Sequence, residues 1–116
     1  MGGIDDALRA LRGHVLSTPV RLALMLLLVN RRRIEFSSAA RALGVKPGTL
    51  WHHVERLERE GLLRIRKGFT LHGPRTFLEA TEEGVRETVR YVQLLHSLIS
   101  AGGGMQGSSS EGRGSR

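Results

Sequence analysis

The segment from Ser37 to Ala80 constrains the fold of this chain most strongly, because two helical patterns follow one another with only a tight turn between them. Apolar residues at helical spacing predict a short helix from Ser37 to Leu43 and a longer one from about Gly48 to Glu60. A glycine follows each predicted helix and is placed to end it. The two helices therefore form a candidate helix-turn-helix, a motif that is only moderately specific by itself.

A β-hairpin is predicted directly after this helix pair. Residues 62–67 alternate between apolar and basic side chains, which is typical of a strand with one buried face. Two glycines and a proline in residues 68–74 predict the connecting loop, and residues 75–80 predict the returning strand.

Three more helices are predicted, over about residues 4–12, 19–30 and 81–100. Thr18 and Ser37 are placed as N-caps, with Phe36 as a hydrophobic staple before the second of them. Residues 31–34 are expected to be a short linker. The predicted class is mainly α with a small β-hairpin, in one domain over residues 1–100, followed by a flexible Gly/Ser-rich tail over residues 101–116.

Positive charge is concentrated in the middle of the chain. The net charge is +7, and residues 31–78 contain eleven Lys or Arg against four Glu. A basic region of this kind predicts a polyanionic partner, although ordinary solubilising charge is the alternative. Sixteen of the eighteen basic residues are Arg, which suits contacts to phosphates and guanine edges, but a GC-rich genome would give the same preference.

Three runs in the sequence carry a resemblance to a known family: STPVRLALMLLL, LGVKPGTLWHHVERLEREGLLRIRK and GPRTFLEATEEG. Together they resemble MarR/ArsR-type winged helix-turn-helix transcription regulators, in particular the compact single-domain members of archaea and bacteria, over roughly residues 15–95. The resemblance implies a dimeric DNA-binding protein with its second helix-turn-helix helix in the major groove and its hairpin, the wing, on the backbone or minor groove. Trp51 departs from the family pattern, which has a small hydroxyl residue there.

The predicted helix 48–60 presents a polar face opposite its apolar stripe of Leu50, Val54 and Leu57. Thr49, His52 and Arg56 are expected to contact base edges or nearby phosphates, and Lys46 a phosphate. Arg59 could bind DNA or pair with Glu55. The full predicted DNA-binding set is Lys46, Gly48, Thr49, His52, Arg56, Arg59, Arg64, Arg66, Lys67 and Arg75.

Other residues near this face have less specific interpretations. His53 and Trp51 are expected to pack or hydrogen-bond within the protein. Arg75 is the strongest candidate of the wing for the minor groove or backbone, against the alternative that the hairpin face is simply solvated. The basic residues 31–33 contact phosphates or solvate a turn, with neither favoured.

The first and last helices carry more apolar surface than a small core can cover, which predicts a homodimer. The alternative is that both helices pack only on their own domain. The predicted dimer interface consists of Ile4, Leu8, Leu11, Val85, Val89, Val92, Leu95 and Ile99. A two-fold dimer predicts a pseudo-palindromic double-stranded DNA site.

Several function classes are disfavoured. The chain has no cysteine, and adjacent His52 and His53 point about 100° apart on a helix, so neither a metal nor a cofactor is expected. The sequence shows neither a phosphate-binding loop nor a nucleophile elbow, so an enzyme is not expected. The apolar stretch Val20–Val29 is far shorter than the roughly 20 residues of a membrane span, and a cytoplasmic location is expected. No residue pattern identifies an effector ligand.

Three functions therefore stay open from the sequence. The leading one is a sequence-specific transcription regulator. The alternatives are a sequence-tolerant DNA-coating or chromatin-associated protein, and a winged helix that mediates protein–protein contacts in the transcription machinery.

Overall fold

The computed structural model describes residues 3–103, with side chains through residue 100. Within that range the elements follow in the order α1 (Gly3–Gly13), α2 (Pro19–Arg31), β1 (Arg33–Glu35), α3 (Phe36–Leu43), α4 (Pro47–Arg59), β2 (Leu63–Thr70), β3 (Gly73–Ala80) and α5 (Glu82–Gly103). The predicted mainly α class with a hairpin is confirmed. Residues 101–103 of the predicted tail continue α5, and the rest of that tail lies outside the described residues.

Within the described residues, contacts divide the chain into two units, one over residues 15–89 and one that joins residues 3–14 with residues 90–103. The core of the first unit is formed by the nearly all-apolar α2 and by the stripe predicted for α4. The following side chains are fully buried: Leu24, Met25, Leu28, Leu50, Val54 and Leu57. Because each buried leucine contributes roughly 1.5–3 kcal/mol, this stripe fixes the orientation of α4 about its own axis.

The residues predicted as a linker form a strand instead. Arg32 lies after the end of α2 with a left-handed φ of 65°, and the chain then pairs along β3, with Ile34 opposite Leu78. The sheet order is β1-β3-β2, antiparallel throughout. A three-residue strand is too short to show the alternating pattern by which strands are predicted from sequence. This strand is stabilised by the buried Ile34, which lies opposite Leu78 of the distant strand β3.

The hairpin is longer than predicted, and the loop prediction for residues 68–74 was wrong. β2 and β3 stay paired up to Thr70 and Gly73, so only Leu71 and His72 form the turn. The Thr70 hydroxyl accepts from the His72 N–H at 3.1 Å and donates to the Gly73 carbonyl at 3.1 Å. Gly68 lies within the ladder, opposite Arg75. An added Cβ there would lie 3.0 Å from the Phe77 ring, so the glycine makes room for that ring.

The helix starts also correct two predictions. α3 begins at Phe36 with Glu35 as its N-cap, so Ser37 is not the cap and Phe36 is not a staple. The reason is that β1 leads directly into the helix. Phe36 packs edge-on against Trp51 at a centroid distance of 5.4 Å, which confirms the packing role expected for Trp51.

Other caps agree with the sequence. α2 begins at Pro19 after Thr18, although the Thr18 side chain makes no capping hydrogen bond. Gly44 ends α3 with a left-handed φ of 65°. The Thr81 hydroxyl accepts from the Gly84 N–H at 2.9 Å and caps α5.

The second unit is held by few buried side chains. None of the side chains of α1 is buried, whereas Tyr91 is buried and its ring lies 4.6 Å from the ring of His14. The apolar residues of α1 are therefore largely exposed.

Candidate nucleic-acid interface

The polar face of α4 is open to solvent from its first turn onwards. Lys46 is the N-cap residue and Pro47 occupies the first turn, where a missing N–H has no consequence. The residues that the sequence places on this face are exposed, with Arg56 half-buried: Lys46, Gly48, Thr49, His52, Arg56 and Arg59. Because the stripe behind them is fully buried, these six residues present one continuous surface on the helix. A helix of this kind can enter a major groove.

Ion pairs hold this surface only weakly. Arg56 Nε lies 3.2 Å from Glu60 Oε2, with both side chains more than two-fifths exposed. Exposed pairs of this spacing contribute roughly 0.3–0.5 kcal/mol, so Arg56 can exchange Glu60 for a phosphate or a base. Arg59 forms no ion pair with Glu55 in the described part of the chain, which removes the alternative considered from the sequence.

A hydrogen-bonded pair anchors α4 to the start of α2. Arg21 Nη1 lies 3.2 Å from His53 Nδ1, and Arg21 Nε donates to the Val15 carbonyl at 2.7 Å. Since guanidinium only donates, His53 Nδ1 accepts and its ring is neutral. Burial, with the charge of Arg21 and the neighbouring His52, lowers the pKa of His53. The intramolecular role predicted for His53 is confirmed.

Arg21 is a positioning residue that sequence analysis did not single out. Burial and the charge of Arg56 lower the pKa of Arg21, while Glu60 acts in the opposite direction. The charge of Arg21 therefore interacts with those of Arg56 and Glu60 at the polar face of α4. Its only sequence signal was its place in the run STPVRLALMLLL.

The cations of the β2–β3 hairpin are largely paired within the protein. Arg66 and Arg33 share Glu79 at 3.3 Å and 3.8 Å, and the Arg33 guanidinium lies 4.3 Å from the centre of the Phe77 ring. Lys67 Nζ donates to Thr76 Oγ1 at 3.1 Å. Arg64 is exposed on the same strand.

Arg75 is tied to the start of α3. Its Nε lies 2.9 Å from Glu35 Oε2, and its side chain is only 37% exposed. An open cavity of about 560 Å³ lies beside this pair and is lined by Glu35, Phe36, Ser37, Lys67, Pro74, Arg75 and Thr76. The basic residues 31–33 are exposed as well, and of these Arg33 joins the paired cations of the hairpin.

Comparison with known proteins decides what this arrangement is. A family model described as a winged helix DNA-binding domain matches residues 20–99. The chain belongs to this family. A transcriptional regulator homologue from Pyrococcus horikoshii OT3 is 35% identical, with a TM-score of 0.77, over 83% of this chain and 96% of its own.

More distant structures share the fold. YusO from Bacillus subtilis superposes with a TM-score of 0.67 at 17% identity, over 89% of this chain and 78% of its own. The PcaV transcriptional regulator from Streptomyces coelicolor has a TM-score of 0.63 at 23% identity, over 84% of this chain and 75% of its own. No curated protein sequence matches the chain.

This winged-helix protein is thus a DNA-binding transcription regulator and not an enzyme, as the sequence predicted. In winged-helix terms α4 is the recognition helix and β2–β3 is the wing. Among the described residues, no group of three or more His, Asp or Glu is placed to hold a metal ion. No described helix has the length and apolar character needed to span a membrane.

The residues predicted for the dimer interface are exposed to different degrees. Three are half-buried: Leu11, Val85 and Leu95. The other five are at least two-fifths exposed: Ile4, Leu8, Val89, Val92 and Ile99. Large apolar side chains therefore remain uncovered on α1 and α5 of the single chain.

Proposed function

We propose that this winged-helix protein regulates transcription as a homodimer that binds a specific double-stranded DNA sequence, with α4 in the major groove. The observation that carries the proposal is the single exposed face of α4, behind which every residue of the apolar stripe is fully buried. Thr49 and His52 on this face contact base edges, since a recognition helix contacts bases mainly through its N-terminal half. Arg56 lies further along the same face and contacts base edges or nearby phosphates.

Phosphate contacts supply the sequence-independent part of the affinity. In this proposal Lys46, Gly48 and Arg59 face phosphates beside the major groove. The wing approaches the backbone or minor groove through four cations: Arg64, Arg66, Lys67 and Arg75. Each neutralised phosphate releases counterions, so the binding constant falls steeply with salt.

The exposed apolar residues of α1 and α5 support the dimer. Apolar side chains that stay uncovered on terminal helices are most simply buried against a second copy through a two-fold interface. Such a dimer places its two recognition helices about 34 Å apart, or a multiple of that distance, along the duplex. A regulator of this kind works on the chromosome, so the proposal also places the chain in the cytoplasm.

The proposal is tested by selecting bound duplexes from a random pool and measuring affinity for the winners and for the starting pool. We expect an enriched pseudo-palindrome whose half-sites are separated by about one helical turn, bound at least 10³-fold more tightly than random DNA. Equal affinity for both would favour the DNA-coating alternative, and no binding at low salt would favour the protein–protein alternative.

The dimer is tested separately by sedimentation of the wild type and of a Val92→Glu variant. The wild type should sediment as a dimer and the variant as a monomer, because a charge at a buried interface is strongly unfavourable. Glu87→Gln, a change at another position of α5 outside the predicted interface, is the control and should leave the dimer intact. A monomeric wild type at micromolar concentration would contradict the proposed homodimer.

A further inference from the structure

The tip of the wing carries two large apolar side chains that nothing in the protein covers. Phe69 is 87% exposed and Leu71 is fully exposed. They are the most exposed large apolar residues of the described chain, ahead of those on the terminal helices. The dimer proposed above offers a partner for the helical residues but does not assign one to the wing tip.

The tip is a fixed structure. The ladder continues to Thr70 opposite Gly73, and the Thr70 hydroxyl closes the two-residue turn with two hydrogen bonds. Neither Leu71 nor His72 has a positive φ, and Gly73 takes the left-handed position with a φ of 100°, so the turn tolerates most residues at position 71 and does not require a leucine there. The apolar side chain of Leu71 is held out in solvent on a defined backbone.

The position of Phe69 in the sheet gives it cationic neighbours. Strand alternation places Phe69 on the same face as Leu63, Ile65 and Lys67. The first two of these face the helices of the core, and Lys67 and Phe69 continue the row beyond them. From residue 61 to residue 78 the chain contains four Lys or Arg and no Asp or Glu. Arg66 and Arg75 are paired with Glu79 and Glu35, whereas Lys67 is held by the neutral Thr76 hydroxyl. An apolar tip with these cations behind it suits a surface with phosphate walls and an apolar interior.

The minor groove of DNA is such a surface, because phosphates line its edges and sugars and stacked bases form its walls and floor. We infer that Phe69 and Leu71 form an apolar wedge that enters the minor groove and partly unstacks one base step, while neighbouring cations bind the flanking phosphates. This inference rests on the proposed function. It adds a source of specificity that needs no hydrogen bond to a base, since steps such as TA and CA/TG deform most easily.

The test compares the wild type with a Phe69→Thr/Leu71→Asn variant on the selected DNA site. Threonine keeps strand propensity and asparagine suits the turn, so this variant should fold normally. A Phe69→Leu/Leu71→Met variant keeps an apolar tip and is the matched control. Affinity is measured on the intact duplex and on duplexes with one mismatched pair at successive steps beside the half-site.

We expect the wild type and the apolar control to bind about tenfold more tightly when the mismatch lies at the wedged step, because that step is already unstacked. The polar variant should gain nothing there. Energy transfer between dyes at the duplex ends should show that the polar variant bends the DNA less than the wild type does. A wild type that binds the intact site but gains nothing from any mismatch, or a polar variant that gains equally, would overturn the wedge and leave the proposed function standing.

Two further outcomes overturn the inference for different reasons. If the wild type binds no DNA at low salt, both the wedge and the proposed function fail. If the wild type binds vesicles of anionic lipid, the polar variant does not, and the two proteins respond equally to mismatches, the tip is a membrane contact instead.

Discussion

The recognition helix and the wing both present cations, but they hold them in different ways. On α4, Lys46 and Arg59 are exposed and Arg56 is held by one exposed pair. On the wing, Arg66, Lys67 and Arg75 each have a partner in the protein. If the wing binds phosphates as proposed, it must first exchange these internal partners for them, whereas most of the α4 surface is available without rearrangement. The difference suggests that α4 supplies most of the discrimination and the wing a tunable, general affinity.

The two regions also differ in how they are held, which gives the largest expected effect. Leu57→Ala removes a fully buried side chain from the core-facing stripe of α4. It should lower the free energy of unfolding by about 2–5 kcal/mol. Leu71→Ala at the exposed wing tip should change it by less than about 0.5 kcal/mol. Denaturant unfolding at one fixed protein concentration checks both. Similar losses in the two variants would show that the wing tip contributes as much to stability as the buried stripe of α4.

The pairing of Arg75 gives an intermediate effect on DNA affinity. Glu35→Gln removes the carboxylate that lies 2.9 Å from Arg75 Nε, so affinity for all sequences should rise by up to about fivefold, the equivalent of one surface ion pair. Arg75→Ala should lower affinity for all sequences and reduce the salt slope by about one. Titrations at several salt concentrations measure both. Unchanged binding in Glu35→Gln would show that the pair does not compete with phosphate.

The Arg21–His53 pair that anchors α4 to α2 gives the smallest effect, a pH dependence of the free energy of unfolding. The pKa of His53 is lowered in the folded protein, so the unfolded chain binds the proton more readily. The contribution of neutral His53 is complete above about pH 6.5, the ordinary histidine value, and is lost as the pH falls below it towards the folded pKa. Unfolding measured between pH 7.5 and pH 5 should therefore show a decline.

His53→Gln should flatten that decline, because glutamine does not titrate. His72→Gln, a change at an exposed histidine of the wing far from this pair in the sequence, is the matched control and should keep the decline of the wild type. A decline of equal size in all three proteins would contradict the role given to His53.

Local patterns predicted the helices and the core, whereas pairings across the chain were missed. Leu50, Val54 and Leu57 repeat at helical spacing within one helix, so their burial follows from sequence alone. β1 depends on Ile34 meeting Leu78, and the α4 anchor depends on Arg21 meeting His53, 32 residues away. Neither pairing has a signal in the residues beside it.

The wing shows how local rules mislead. Gly68, Gly73 and Pro74 predicted a loop, but Gly68 makes room for the Phe77 ring within the ladder. At Pro74 the strand pairs only with β2, since β1 ends opposite Phe77, and proline is tolerated on such an edge. The exposed polar face of α4 follows from helical spacing, but the ion pairs that restrain the wing could be found only from the fold.

Base recognition by α4 is tested by the ratio of affinities for the selected site and for random DNA in a His52→Ala/Arg56→Ala variant. We expect this ratio to fall by at least tenfold while weak binding to random DNA persists, since each base contact contributes about 1–3 kcal/mol of discrimination. Arg64→Ala, the control on the wing, should weaken binding to both DNAs and leave the ratio unchanged. A double variant that keeps the wild-type ratio would show that α4 does not recognise bases.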